Sequence, residues 1–438
     1  MLEINDNLKS RDFYLNKLIA FKDTEPVKVI TGIRRCGKSS LMKLMIKHLL
    51  ENGIPDEQII SMNFESMAYR FMNARSFYKY VDDNRPKDKK VYLFFDEVQR
   101  IPEWQDAVNS FRVDFPCDIY ITGSNAYLLS SEFSTYLSGR YVEIKILPLS
   151  FREFIDFHGY TIIERKSPSG KLSKKIVDKD NEMYDTEELF EAYLKFGGMP
   201  GIADVGLDWD RALALLDGVY STVVVRDILE RESRRGQRQL TDADLLRKII
   251  MFLADNIGSN VSMTSIGNTL ANEGLIENDR RTKPATQTVQ AYVGALLESY
   301  IFYEAKRFDI KGKEYLRTLG KYYIVDIGLR NYLLGLRDTD TGHILENVVF
   351  FELLRRGYDV AIGKMGNVEV DFIAANSDEK IYYQVTQTIS SEQTKERELR
   401  SLLQIPDNYE KIILTMDRGV SGTVDGIKIV NIVEWLLI

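Results

Sequence analysis

The sequence predicts an α/β protein: a doubly wound parallel sheet built around a phosphate-binding loop, then a winged-helix module and a smaller C-terminal α/β domain. Three observations predict this. A glycine-rich loop lies between a short apolar run and an amphipathic helical stretch. Apolar strand-like runs alternate with helix-period segments as far as residue 147. Beyond them, three helical segments lead into two strand-like runs, and a second helix–strand–strand series follows.

The elements follow in order. Pro26–Thr31 reads as a short buried strand and Ser40–Leu50 as an amphipathic helix. Between them Gly32, four intervening residues, Gly37, Lys38 and Ser39 fill every fixed position of G-x-x-x-x-G-K-[ST], the Walker A loop. Its chemistry is specific: backbone N–H groups of Gly32, Ile33, Arg34, Arg35, Cys36, Gly37 and Lys38 curl around a phosphate, and the following helix aims its positive end at the same charge. Lys38 adds a point charge, Ser39 offers a hydroxyl to Mg²⁺, and Ser40 opens the helix. The ligands so implied are ATP and Mg²⁺.

About sixty residues after Lys38, the run Val91–Phe95 ends in Asp96-Glu97, the pattern of a Walker B strand. Asp96 is expected to hold Mg²⁺ through water, and Glu97 to polarise the attacking water. Gln58–Phe64, Cys117–Asn125 and Arg140–Leu147 supply further strands, five in all counting from Val27. An extra strand between the two motifs, with Glu beside the Asp, marks the branch of P-loop ATPases that includes AAA proteins. In that arrangement the strand after Walker B lies between the motif strands. Thr122, Ser124 and Asn125 at its end are the candidates to sense the γ-phosphate, Ser124 and Asn125 being the preferred pair. Arg140, after Ser138-Gly139, is a candidate arginine finger acting on a neighbour's nucleotide, which requires a homo-oligomer, for instance a hexamer.

The series Gly32…Gly37-Lys38-Ser39, Phe95–Gln99 with Ile101–Trp104, Ile121–Ser124, Ser138-Gly-Arg140, Leu147–Phe154 and Phe196–Gly201 resembles a prokaryotic family of AAA-type P-loop ATPases. The resemblance covers nearly the whole chain. It implies a C-terminal domain of restriction-endonuclease-like fold.

In the middle, Pro168–Asp185 is rich in Lys, Ser and Asp without periodicity and reads as an insertion. Helices at Asp244–Ala254, Thr264–Ala271 and Pro284–Glu298 precede strands at Ile301–Ala305 and Tyr322–Val325, with a polar loop Lys306–Gly320 between them: a winged-helix pattern. From Arg280 to Lys321 nine Lys/Arg face four acids, a basic stretch suited to phosphates. Arg280, Arg281, Lys283, Thr286, Gln287, Gln290, Lys311 and Lys313 are therefore the DNA-contact candidates.

Toward the C-terminus, Glu346 opens a helix, Asp371 lies on the strand Val368–Ile373, and Lys380–Thr386 is the next strand. A nuclease core needs carboxylates around Mg²⁺ and a lysine, in the order helix acid, strand Asp, then E-x-K. Glu346 and Asp371 occupy the first two places, but Gln384 and Thr386 stand where Glu and Lys belong. A neutral amide is a weak Mg²⁺ ligand and threonine carries no charge, so this degenerate nuclease site is expected not to cut.

Composition sets bounds. The 438 residues suffice for several domains, expected at 1–200, 201–335 and 336–438. With only Cys36 and Cys117, no disulfide framework is expected; no secretory signal or apolar run of roughly 20 residues is seen, so the expected place is the cytoplasm, with no membrane contact. The net charge of −7 argues against bulk attraction to nucleic acid. The leading expectation is an oligomeric ATPase acting on duplex or branched DNA. Its alternative is a nucleotide-controlled signalling or assembly switch with protein partners.

Overall fold

The computed structural model describes residues 8–123, 139–166, 172–223, 228, 242–272, 284–337 and 341–438. The chain divides into two compact units, Met1–Ile146 with Glu298–Tyr300, and Leu147–Leu297 with Ile301–Ile438.

The first unit is a five-stranded, all-parallel sheet in the order β2-β3-β4-β1-β5, with β1 Val27–Thr31, β2 Ile59–Asn63, β3 Val91–Asp96, β4 Cys117–Thr122 and β5 Tyr141–Lys145. Helices α1 Asp12–Ala20, α2 Lys38–Glu51, α3 Ala74–Asn84 and α4 Trp104–Asp114 connect and cover it. Every residue of β1 and of β3 is buried, as continuous apolar runs in a two-sided parallel sheet require. On one face Phe77 meets Phe64, Phe95 and Phe111 edge to face, with centroids 4.7–5.2 Å apart. The strand after β3 does lie between β3 and β1.

Lys28 points into this unit at 0% exposure and needs a counter-charge. Asp118 supplies it at 2.5 Å, while the Thr24 carbonyl accepts a second bond from Lys28 Nζ at 2.8 Å. Asp118 is held in turn by the Asp23 N–H and the Tyr120 hydroxyl.

The second unit contains a nine-stranded sheet in the order β16-β17-β15-β14-β13-β12-β10-β11-β9. Its strands are β9 Asn260–Val261, β10 Phe302–Asp309, β11 Glu314–Ile324, β12 Asp359–Met365, β13 Val368–Ala375, β14 Lys380–Thr386, β15 Glu410–Thr415, β16 Gly422–Val424 and β17 Ile427–Asn431. The helices Ala243–Asp255, Met263–Asn272 and Thr286–Glu298 precede β10. The register of the β10–β11 hairpin shifts between Lys306 and Phe308, and Arg307–Asp309 then pair with Ile362–Lys364 of β12. The expected wing strands are thus continuous with the C-terminal sheet. Their connection is the tight Ile310–Lys313 turn rather than the long Lys306–Gly320 loop.

The segment expected as an irregular insertion also differs. β6 Thr161–Lys166, β7 Leu172–Val177 and β8 Met183–Tyr184 form an antiparallel sheet. Ile176 and Val177 are buried in it, and these two apolar side chains were masked in the sequence by the lysines around them.

The segments Leu147–Ser150 and Phe196–Gly201 meet at a buried carboxylate. Asp326 caps the helix Ile327–Leu334 by accepting from the Leu329 N–H, and its other oxygen accepts from the Gly198 N–H at 2.6 Å. Gly198 accepts in turn from the Leu149 N–H. Burial pushes the Asp326 carboxyl up to about 6, against the lowering effect of backbone N–H groups from Gly198, Leu329, Gly328 and Met199. Among the described residues no helix is long and apolar enough to cross a membrane.

Candidate nucleotide-binding site

β1 ends at Thr31, and the chain then folds into the loop that leads to α2. Two glycines make this path possible. At Gly32 (φ 142°) a Cβ would fall 2.2 Å from the Ile146 carbonyl oxygen, and Gly37 turns into α2 at φ 101°. Arg35 also takes a left-handed φ of 62°, a strained state for a side-chain-bearing residue. Lys38 is buried, and its ammonium donates to the carbonyls of Gly32 and Ile33 at 2.9 and 3.0 Å. Ile33 and Cys36 anchor the loop in the core, whereas Arg35, Ser39 and Ser40 are exposed. Arg34 pairs with Glu65, which also takes Arg100.

Sequence reading missed the residue that braces this loop. Arg11, buried at the start of α1, donates from Nη1 to the Cys36 carbonyl at 2.9 Å. A lone arginine before a helix carries no motif, so only the fold reveals it.

The acidic side is built by the ends of β3, β4 and β2. Asp96 accepts from the Thr122 hydroxyl at 2.5 Å and from Asn63 Nδ2 at 3.1 Å. Thr122 Oγ1 also accepts from the Glu97 N–H at 2.9 Å, so one buried hydroxyl joins both acidic residues. Ser124 and Asn125, the preferred sensor pair, lie outside the described residues; Thr122, the third candidate, contacts Asp96. Glu97 stands at φ 55°, which turns its side chain off the strand direction. Burial raises its carboxyl above the usual range, opposed by Lys38 and Arg34 and reinforced by Asp96 and Glu65. Gln99 Nε2 donates to Glu97 Oε2 at 2.6 Å, while Gln99 Oε1 is buried with no partner among the described residues. The oxygen-only set of Ser39 and Asp96 suits Mg²⁺, which would supply charge neutralisation at the β- and γ-phosphates.

Arg140 is exposed at the opposite end of the strands, just before β5. Its carbonyl accepts from the Val27 N–H at the start of β1, whereas the loop leaves from the far end of that strand. Five residues of strand separate the two, roughly 16 Å. Arg140 therefore does not serve its own loop.

A family model described as an AAA domain matches residues 24–155, and one described as a domain of unknown function matches residues 187–340. An uncharacterized protein of Haemophilus influenzae is 41% identical over 430 residues, covering 98% of each chain. The chain belongs to the same family as that protein. Another uncharacterized protein, from Methanocaldococcus jannaschii, is 30% identical over 437 residues, covering 94% of this chain and 88% of its own. Among solved structures, the Walker-type ATPase of Pyrococcus abyssi is similar over 74% of this chain and 95% of its own, at 17% identity and a TM-score of 0.44. The family-model match gives residues 24–155 of this chain as an AAA-type domain, and the P-loop Gly32–Ser39 lies within it.

In the second unit, Thr286, Gln287 and Gln290 are exposed on the helix Thr286–Glu298, and Lys311 and Lys313 are exposed at the β10–β11 turn. Gln290 and Lys306 line one cleft of about 760 Å³, with Tyr315, Gly320 and Tyr322 among its walls. Arg280, Arg281 and Lys283 lie outside the described residues. Lys321, counted in the basic stretch, is buried and is not part of any exposed surface.

Of the four residues expected to form a degenerate nuclease site, the structure brings Glu346, Asp371 and Gln384 near one another, and Thr386 bonds elsewhere. Glu346 on the helix Thr341–Arg355 and Asp371 on β13 converge, and Lys321 of β11 reaches both. Gln384 Oε1 accepts from the Asp371 N–H at 3.4 Å, whereas Thr386 bonds to the Thr388 carbonyl.

Proposed function

We propose that the protein hydrolyses ATP as an oligomer and acts on DNA through the surface formed by the helix Thr286–Glu298 and the β10–β11 hairpin. The observation that carries the reading is the meeting of Lys38, Asp96, Thr122 and Glu97 around one loop at the C-terminal ends of β1, β3 and β4. The loop binds the phosphates, Lys38 neutralises them, and Asp96 holds the Mg²⁺ bound with them. Glu97 accepts a proton from the attacking water, and Thr122 fixes both acids while that charge develops. Arg140 supplies charge to a neighbour's γ-phosphate, which is why a single chain is an incomplete enzyme.

The DNA part is supported by exposed Lys306, which lines one cleft with Gln290 of the helix, and by exposed Lys311 and Lys313 at the hairpin turn, inside a chain whose net charge is −7. The same net charge favours the alternative, a nucleotide-controlled switch with protein partners. One experiment separates them: ATP turnover measured with and without duplex and branched DNA at increasing salt. Stimulation that falls steeply with salt supports DNA as the substrate. Turnover indifferent to DNA, with no DNA binding at low salt, favours the switch. Lys38→Ala abolishes nucleotide binding, and Glu97→Gln retains binding while losing turnover by about 10²–10⁴-fold. Turnover at the wild-type rate by Glu97→Gln would remove the role assigned to that residue.

A further inference from the structure

A restriction-endonuclease-like core implies a divalent ion among its carboxylates, and the residues present here do not fit one. Lys321 Nζ lies 3.0 Å from Glu369 Oε1, 3.3 Å from Glu346 Oε2 and 4.0 Å from Asp371 Oδ1. Other protein donors reach the same carboxylates. Glu346 Oε2 also accepts from the Tyr323 hydroxyl at 3.3 Å, Asp371 Oδ2 from the Val385 N–H at 2.8 Å, and Glu369 Oε2 from Asn260 Nδ2 at 3.0 Å. Gln384, at the third acidic place, is occupied by the Asp371 N–H and the Ser401 hydroxyl. Among the described residues no three His, Cys, Asp or Glu side chains are grouped to hold a metal.

Lys321 is delivered by the fold rather than by a motif. β11 is paired on both sides, with Lys321 opposite Asn260 of β9 and Ala305 of β10. Residues two apart on a strand share a face, so Lys321 and Tyr323 address Glu346 together.

We propose that the Lys321 ammonium is the resident cation of the Glu346–Glu369–Asp371 cluster, occupying the place a divalent ion takes in metal-dependent nucleases. The C-terminal sheet is then held together by its own charge, and the module works without metal. The three carboxylates hold the Lys321 pKa up despite burial, and burial together with Glu346 drives Asp371 well above the usual carboxylate range, which reduces the negative charge a metal would need. The inference stands independently of the ATPase reading.

The test is Mn²⁺ binding by the full-length chain, followed by electron paramagnetic resonance without nucleotide. Wild type and Asp371→Asn are expected to bind Mn²⁺ alike. Lys321→Ala is expected to gain one further equivalent, at least about tenfold tighter than any wild-type site and lost again when Asp371→Asn is added. Lys321→Arg, which keeps a cation, gains none. Should Lys321→Ala not fold, Lys321→Gln removes the charge while retaining the stem, and the same gain is expected. An equivalent bound by wild type and lost in Asp371→Asn overturns the proposal, as does a folded, charge-free variant that gains no Mn²⁺. Mn²⁺-dependent DNA cleavage by wild type, abolished by Asp371→Ala, overturns it as well.

Discussion

Gln99→Ala tests how the base of the ATPase site is aimed. Gln99 presents Nε2 to Glu97 Oε2 at 2.6 Å, and its own Oε1 is buried without a partner among the described residues. A flipped amide would set oxygen against carboxylate oxygen, so the charge on Glu97 dictates the orientation. A hydrogen bond to a charged group contributes about 1.5–3 kcal/mol. If the whole of it acts on the transition state, Gln99→Ala lowers kcat by about 10- to 150-fold. The loop and Lys38 are untouched, so nucleotide affinity stays within about twofold. Fold stability should change little, because the substitution also removes an unsatisfied buried acceptor. The pH profile carries the most specific sign. The Gln99 N–H favours ionised Glu97, and its loss raises a carboxyl already raised by burial. The acidic limb of the rate profile therefore moves to higher pH, and the defect is largest at low pH. Steady-state hydrolysis over a pH series, with nucleotide binding measured in parallel, reads all three quantities. A variant with wild-type kcat and an unmoved acidic limb would refute the positioning role.

Three further outcomes are expected. Asp118→Ala strands the buried Lys28 charge, with an expected loss of about 3–5 kcal/mol and a Tm lower by about 10 °C; Lys28→Met combined with it should recover part of the loss, and calorimetry measures both. Asp326, raised from 3.8 to about 6, holds in the folded state a proton that the unfolded chain releases. Its contribution of about 3 kcal/mol is therefore complete below the unfolded pKa and lost as pH rises through the folded one. Denaturation of wild type and Asp326→Asn across pH 4–7 should show this dependence only in wild type (about 3 kcal/mol). Arg140→Ala should keep nucleotide binding and lose hydrolysis, and mixing it with Lys38→Ala chains should restore some activity; silence in a confirmed co-assembly argues against action in trans.

The legible parts of this protein are those whose signal is contiguous. A phosphate loop is defined by residues within eight positions of one another, from Gly32 to Ser39, because its backbone must close around one small anion. β1 and β3 are readable because a strand buried on both faces must be an unbroken apolar run, and the order of five strands between helices then implies a parallel sheet. Tertiary structure decided what depends on which strand meets which. Pairing is set by packing and register, not by local preference, so β10 could pair with β12 and make one sheet of two expected modules. The same pairing carried Lys321 from an apparent basic surface into a pocket of carboxylates 25 and 50 residues further along the chain. Thr122 and Gln99 show the smaller version of this effect. Both lie inside readable motifs, yet only the turn of the backbone at Glu97 determines which side chain of each segment touches an acid.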